Sequence, residues 1–145
     1  MSKLIVITGI KSNQGSSVAN TFLANPNWRT RAITRDPSKS FVEEWASRGV
    51  ELVRGNMDDV DSLTTAFIGA YAIFAMTDYW FPLGDPAMRA EAAKQDICPE
   101  ERCAEIEIQR GNNLTRAAAS PQVLKTLERY IYSSLAKHSK LSGRK

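Results

Sequence analysis

At 145 residues, with 43% apolar and 24% charged side chains, the chain has the make-up of one ordinary globular domain and is too short for two cores. A net charge of +3 is mild, and its basic end (Lys137, Lys140, Arg144, Lys145) has no aromatic residues among it to stack on bases, so a solvated tail is expected rather than a nucleic-acid arm. Two closely spaced cysteines, Cys98 and Cys103, and a single histidine, His138, make neither a zinc set nor a disulfide framework, and a reducing, cytoplasmic setting is expected.

The apolar run Leu4-Ile5-Val6-Ile7 is too short for a secretory signal or a span of ~20 residues, and it leads straight into a glycine. Residues 4–8 read as a buried strand. Residues 16–24 read as a helix with Val18, Ala19, Phe22 and Leu23 on one face, stopped by Asn25-Pro26-Asn27. A second strand, 31–34, turns at Asp36-Pro37-Ser38 into a helix carrying Phe41, Val42, Trp45 and Ala46, closed near Gly49.

A third strand, 50–53, is followed by Asp58 and Asp59, which suit an N-cap and first turn. The next helix buries Val60, Leu63, Ala66 and Phe67. A fourth strand at 71–76 is followed by a long polar segment, 81–101, that breaks the rhythm. A helix at about 104–120 then leads to a fifth strand, 130–133. Strands alternating with helices must run parallel, and right-handed crossovers put helices on both faces. The expected fold is α/β, a doubly wound parallel sheet of about five strands in a single domain.

Between the first strand and first helix lie Gly9, Ile10, Lys11, Ser12, Asn13, Gln14 and Gly15. A dinucleotide pyrophosphate needs a tight turn out of a strand, close backbone approach and a helix N-terminus aimed at its charge. Gly9 suits the turn and Gly15 the close helix packing. Ser12 replaces the middle glycine of the G-x-x-G-x-x-G pattern, adding a Cβ that crowds the phosphate and a hydroxyl able to donate to it. A glycine turn alone is weak evidence, but here it sits at the start of a parallel βαβ unit, as the pattern requires. At the end of the second strand, Arg35 with Lys39 can bracket a ribose 2′-phosphate, which favours NADP; the other use of Arg35 is a local pair with Asp36.

Several linked stretches resemble the NmrA-like family of atypical short-chain dehydrogenases, closest to its fungal members. They are Val6-Ile7-Thr8-Gly9 through Gln14-Gly15-Ser16-Ser17-Val18, Arg31 to Pro37, and Gly55-Asn56-Met57-Asp58-Asp59. Thr77-Asp78-Tyr79-Trp80, Gln109-Arg110-Gly111-Asn112-Asn113-Leu114 and the run from Leu127 to Leu135 complete the match. The resemblance implies a Rossmann fold that binds NADP, used by oxidoreductases, some of secondary metabolism, or by catalytically silent sensors acting through a protein partner, the latter with a nuclear location. It implies pyrophosphate on Gly9 to Gln14, the 2′-phosphate on Arg35 and Lys39, adenine beside Asn56 and Met57, and nicotinamide near Thr77, Asp78 and Tyr79. Asn56 stands where the family usually has Asp, and Gln109 where sensor-type relatives have lysine.

Family members continue with a His-Phe-Asp-x-Lys segment, further strands and a smaller substrate region, so the resemblance implies a truncated form lacking that region. Tyr130-Ile131-Tyr132-Ser133 would then be an exposed edge open to self-association or to a protein partner. No tyrosine has a lysine four residues on, so the short-chain dehydrogenase acid/base pair is missing, and Ser133 and Ser134 alone do not complete a proton relay. A catalytic set is therefore not assigned, and no metal or membrane contact is expected.

Overall fold

A computed structural model of the chain describes residues 1–36, 38 and 40–134. Lys39 and the basic tail lie outside the described residues. Twelve elements follow one another: β1 (Lys3–Ile7), α1 (Asn13–Leu23), β2 (Trp28–Thr34), α2 (Ser40–Ser47), β3 (Val50–Arg54), α3 (Val60–Phe67) and β4 (Ala72–Ala75), then α4 (Trp80–Leu83), α5 (Pro86–Lys94), α6 (Pro99–Ala118), α7 (Pro121–Leu124) and β5 (Arg129–Tyr132). The strands form one parallel sheet in the order β3-β2-β1-β4-β5. The chain thus winds outward from β1 to β3, then crosses back to place β4 on the other side of β1. That reversal opens a crevice at the carboxyl ends of β1 and β4, where open α/β sheets bind ligands.

Alternation along the strands divides the core between the two faces of the sheet. Ile5, Ile7, Ala32, Val50 and Ala72 face α1 and α2, meeting Ala19 and Trp45. Leu4, Val6, Ile33, Ile73 and Ala75 face α3 and α6, meeting Leu63, Ala66, Phe67, Leu114 and Ala117. Burial of a side chain such as Leu63 or Phe67, each fully enclosed, contributes roughly 2 kcal/mol. Four of the five residues of β1 are buried, as its central place demands.

Several expected boundaries shift. α1 begins at Asn13, ahead of residue 16, because the Ser12 hydroxyl caps it by accepting from the Gly15 N–H. β2 begins at Trp28, whose ring is held edge-on between Phe22 and Tyr71. β4 is shorter than 71–76, since the Tyr71 carbonyl accepts from Glu128 and Arg129 ahead of β5. The largest refinement concerns 81–101, read as a long polar segment that breaks the rhythm. It holds α4, α5 and the start of α6. Asp85-Pro86 and Cys98-Pro99 each set an N-cap followed by proline at the first helical position, so polar composition there marks exposed helices and not a loop.

Candidate functional site

The turn after β1 is built by two glycines. Gly9 has φ of +70°, a left-handed conformation that costs a side-chain-bearing residue strain. A Cβ there would also fall 2.8 Å from Met76 Sδ. Gly15 is more constrained, because a Cβ would stand 2.1 Å from the Gly9 carbonyl oxygen. Glycine at both positions lets the first turn of α1 press directly on the end of β1. The result is a cradle at the β1/β4 crevice, with the first-turn N–H groups of Asn13 and Gln14, which have no intrahelical acceptor, at its rim.

Beneath this turn, buried Thr8 ties β1 to the end of β4: its hydroxyl donates to the Met76 carbonyl at 2.9 Å and accepts from the Met76 N–H at 2.7 Å. Ile10 turns its side chain into the core, leaving only its backbone to the cradle. The Lys11 ammonium lies 4.0 Å over the Phe41 ring. The Ser12 hydroxyl donates to the Gly9 carbonyl at 2.8 Å, lies 3.1 Å from Met76 Sδ and accepts from the Gly15 N–H to cap α1. Gln14 accepts a hydrogen bond from the Ser133 hydroxyl, joining the start of α1 to the end of β5.

The remaining candidates among the described residues follow the carboxyl ends of β2, β3 and β4. Arg35 directly follows β2, its guanidinium carbon 4.5 Å from the Phe81 ring centroid. The Asn56 side chain accepts from the Asp58 N–H, the Asn56 backbone N–H donates to the Ser62 hydroxyl, and the Met57 carbonyl accepts from the Asn113 side chain on α6. The Thr77 hydroxyl donates to Glu107 at 2.9 Å and lies 3.0 Å from the Tyr132 hydroxyl. The Asp78 carboxylate accepts from the N–H groups of Trp80 and Phe81, and the Tyr79 hydroxyl donates to the Glu100 carbonyl.

Sequence reasoning missed what ties these pieces together. Arg110 on α6 grips Asp58 with two hydrogen bonds of 2.8 Å, pinning the loop between β3 and α3. That bond holds the Asp58 carboxyl below its ordinary value of 3.8, against the opposing effect of burial and with smaller help from the charges of Arg110 and Arg35. The motif containing Arg110 was visible, but a partner 52 residues away was not.

A glycine-built turn at the switch point, a capped helix aimed at it and an arginine ending the second strand suit a dinucleotide. The profile of the NmrA-like family matches residues 1–145. An NmrA-like family domain-containing oxidoreductase of Aspergillus hancockii, hkm9, is 40% identical over 72 residues, covering 50% of this chain and 22% of its own. Another from Aspergillus japonicus, himF, is 28% identical over 142 residues, 97% of this chain and 37% of its own. NmrA, a negative transcriptional regulator solved in complex with NADP, superposes at a TM-score of 0.68 with 25% identity, over 96% of this chain and 35% of its own. In complex with NAD it superposes at 0.66 with 24% identity. The chain therefore spans between about a fifth and somewhat over a third of the length of these relatives. With the family profile matched from end to end on a five-stranded parallel Rossmann-like sheet, this chain belongs to the NmrA-like family.

Proposed function

We propose that the chain is the cofactor-holding part of an NmrA-like oxidoreductase that uses NADP(H). The Gly9–Gly15 cradle carries this reading, because a Cβ would be strained at Gly9 and would overlap backbone at Gly15, and α1 presents its N-terminus at the crevice. The backbone from Gly9 to Gln14 would hold the pyrophosphate, and Arg35 with Lys39 the 2′-phosphate. Asn56 and Met57 would flank the adenine, and Thr77, Asp78 and Tyr79 the nicotinamide. When bound, the nicotinamide supplies hydride transfer. This chain's own part is to orient the cofactor along the carboxyl edge of the sheet. The fungal oxidoreductases it resembles and the NADP-bound form of NmrA support the proposal.

Calorimetric titration with NADP⁺ and NAD⁺ tests it. NADP⁺ should bind more tightly, and Arg35→Asp should narrow or invert the preference by about 1–3 kcal/mol, the worth of a charge-assisted contact. Equal affinities in the parent chain would refute the 2′-phosphate role.

The tyrosine hydroxyls favour a second reading. Tyr79 donates to the Glu100 carbonyl, Tyr130 is bonded to Thr115 and Tyr132 to Thr77, and none has a lysine four residues on. A chain that binds NADP(H) without turning it over would signal the cofactor to a protein partner. A partner retained in pull-downs only when NADPH is present, with no NADPH consumption, would favour this reading over the first.

A further inference from the structure

The contact between Arg35 and Phe81 crosses the mouth of the cradle. β2 and β4 lie on opposite sides of β1, so a contact between Arg35, which follows β2, and Phe81, in the segment after β4, spans the end of β1. The Phe81 ring nonetheless sits 4.5 Å from the Arg35 guanidinium. The segment is shaped to make this crossing. Asp78 accepts from the Trp80 N–H at 3.0 Å and the Phe81 N–H at 3.2 Å, and Tyr79 meets Trp80 edge-on at 5.2 Å.

Phe81 is not there to fill the core. It is 57% exposed, its neighbour Trp80 is 74% exposed, and Pro82 is the buried residue of α4. What Phe81 has is a π face laid on a guanidinium. A guanidinium offers its planar face to an aromatic ring or a nucleobase and its N–H edge to phosphate. An adenosine 2′-phosphate arriving at the end of β2 would need both. Arg35 is also close enough to Asp58, in the loop expected beside the adenine, to act on its carboxyl.

We propose that Phe81 competes within the chain for the face of Arg35 that the 2′-phosphoadenosine end of the cofactor would use, and so sets the affinity and 2′-phosphate selectivity of the site. This rests on the NADP(H) reading above. Without cofactor, Phe81 holds Arg35. With cofactor, the adenine and its 2′-phosphate take Arg35, and the Phe81 ring is released. Only the fraction of molecules with Arg35 free binds, so the apparent affinity falls by that fraction.

The experiment is calorimetric titration of the parent chain, Phe81→Ala and Phe81→Leu with NADP⁺ and with NAD⁺, folding being checked by circular dichroism. Leucine keeps apolar bulk but removes the π face. Both variants should bind NADP⁺ more tightly, by about two- to fivefold, as expected for an exposed cation–π contact given up. The gain for NAD⁺, which has no 2′-phosphate for Arg35 to grip, should be smaller. Unchanged or weaker NADP⁺ binding in both variants would overturn the proposal while leaving the cofactor reading intact. Equal gains for the two cofactors would also overturn it, since a plain steric lid acts on both. If no chain binds either cofactor, the NADP(H) reading fails and the proposal falls with it.

Discussion

Gly9 and Gly15 are needed for different reasons. At Gly9 the obstacle is conformation, with φ of +70° and only the flexible Met76 side chain in the way. At Gly15 the obstacle is backbone, because a methyl group would overlap the Gly9 carbonyl. Gly15→Ala should therefore push α1 off β1, costing about 1–3 kcal/mol as overpacking does, and lower the melting temperature together with NADP⁺ affinity. Gly9→Val should abolish binding while the rest of the fold stays intact, since the strain is confined to one turn. Thermal melts and titrations of both variants check this. A Gly15→Ala chain with parental melting and affinity would show that α1 does not rest on that carbonyl. The middle position of the pattern follows another logic: the Ser12 hydroxyl oxygen accepts from the Gly15 N–H to cap α1 while its proton is given to the Gly9 carbonyl.

Between elements, the carboxyl edge of the sheet is held by contacts from α6. Arg110 binds Asp58 and Asn113 binds the Met57 carbonyl, so one helix fixes the loop expected to receive the adenine. The Asp58 carboxyl is lowered in the folded chain, so its contribution is complete above the ordinary value of 3.8 and is lost as pH falls through the lowered value. With Asp58 47% exposed, solvent screening limits the pair to about 0.5–1 kcal/mol. Denaturant melts of the parent and Asp58→Asn at pH 7 should differ by that amount, with the difference shrinking as the pH falls below 3.8. A difference independent of pH would show that the carboxylate charge does not matter. The helices of 81–101 illustrate what periodicity leaves out. α5 buries only Met88 and Ala92, too few apolar residues to mark a face, although its Asp85-Pro86 start was in view.

Across the whole molecule, β5 is the outermost strand on its side of the described sheet, and Ile131, opposite Phe74 in the register, is 53% exposed. A groove lined by Val18, Phe74 and Ser133 runs beside it. The 145-residue chain, purified as it stands, is expected to self-associate through this strand, because an edge with no outer strand among the described residues, beside an apolar side chain, recruits a second strand. Light scattering over a concentration series should show the mass rising, and a monomer at every concentration would mean that another part of the chain covers β5. The sequence alone determined the βα alternation, the parallel sheet, the glycine turn and the arginine ending β2, because strand period, glycine and strand-end chemistry are local properties that neighbouring residues express. Only the tertiary structure decided that Ser12 turns inward, that Arg110 reaches Asp58 and that Phe81 lies on Arg35. Each of these contacts joins residues that the winding of the sheet brings to one edge, and local patterns along the chain carry no record of which distant side chain will arrive there.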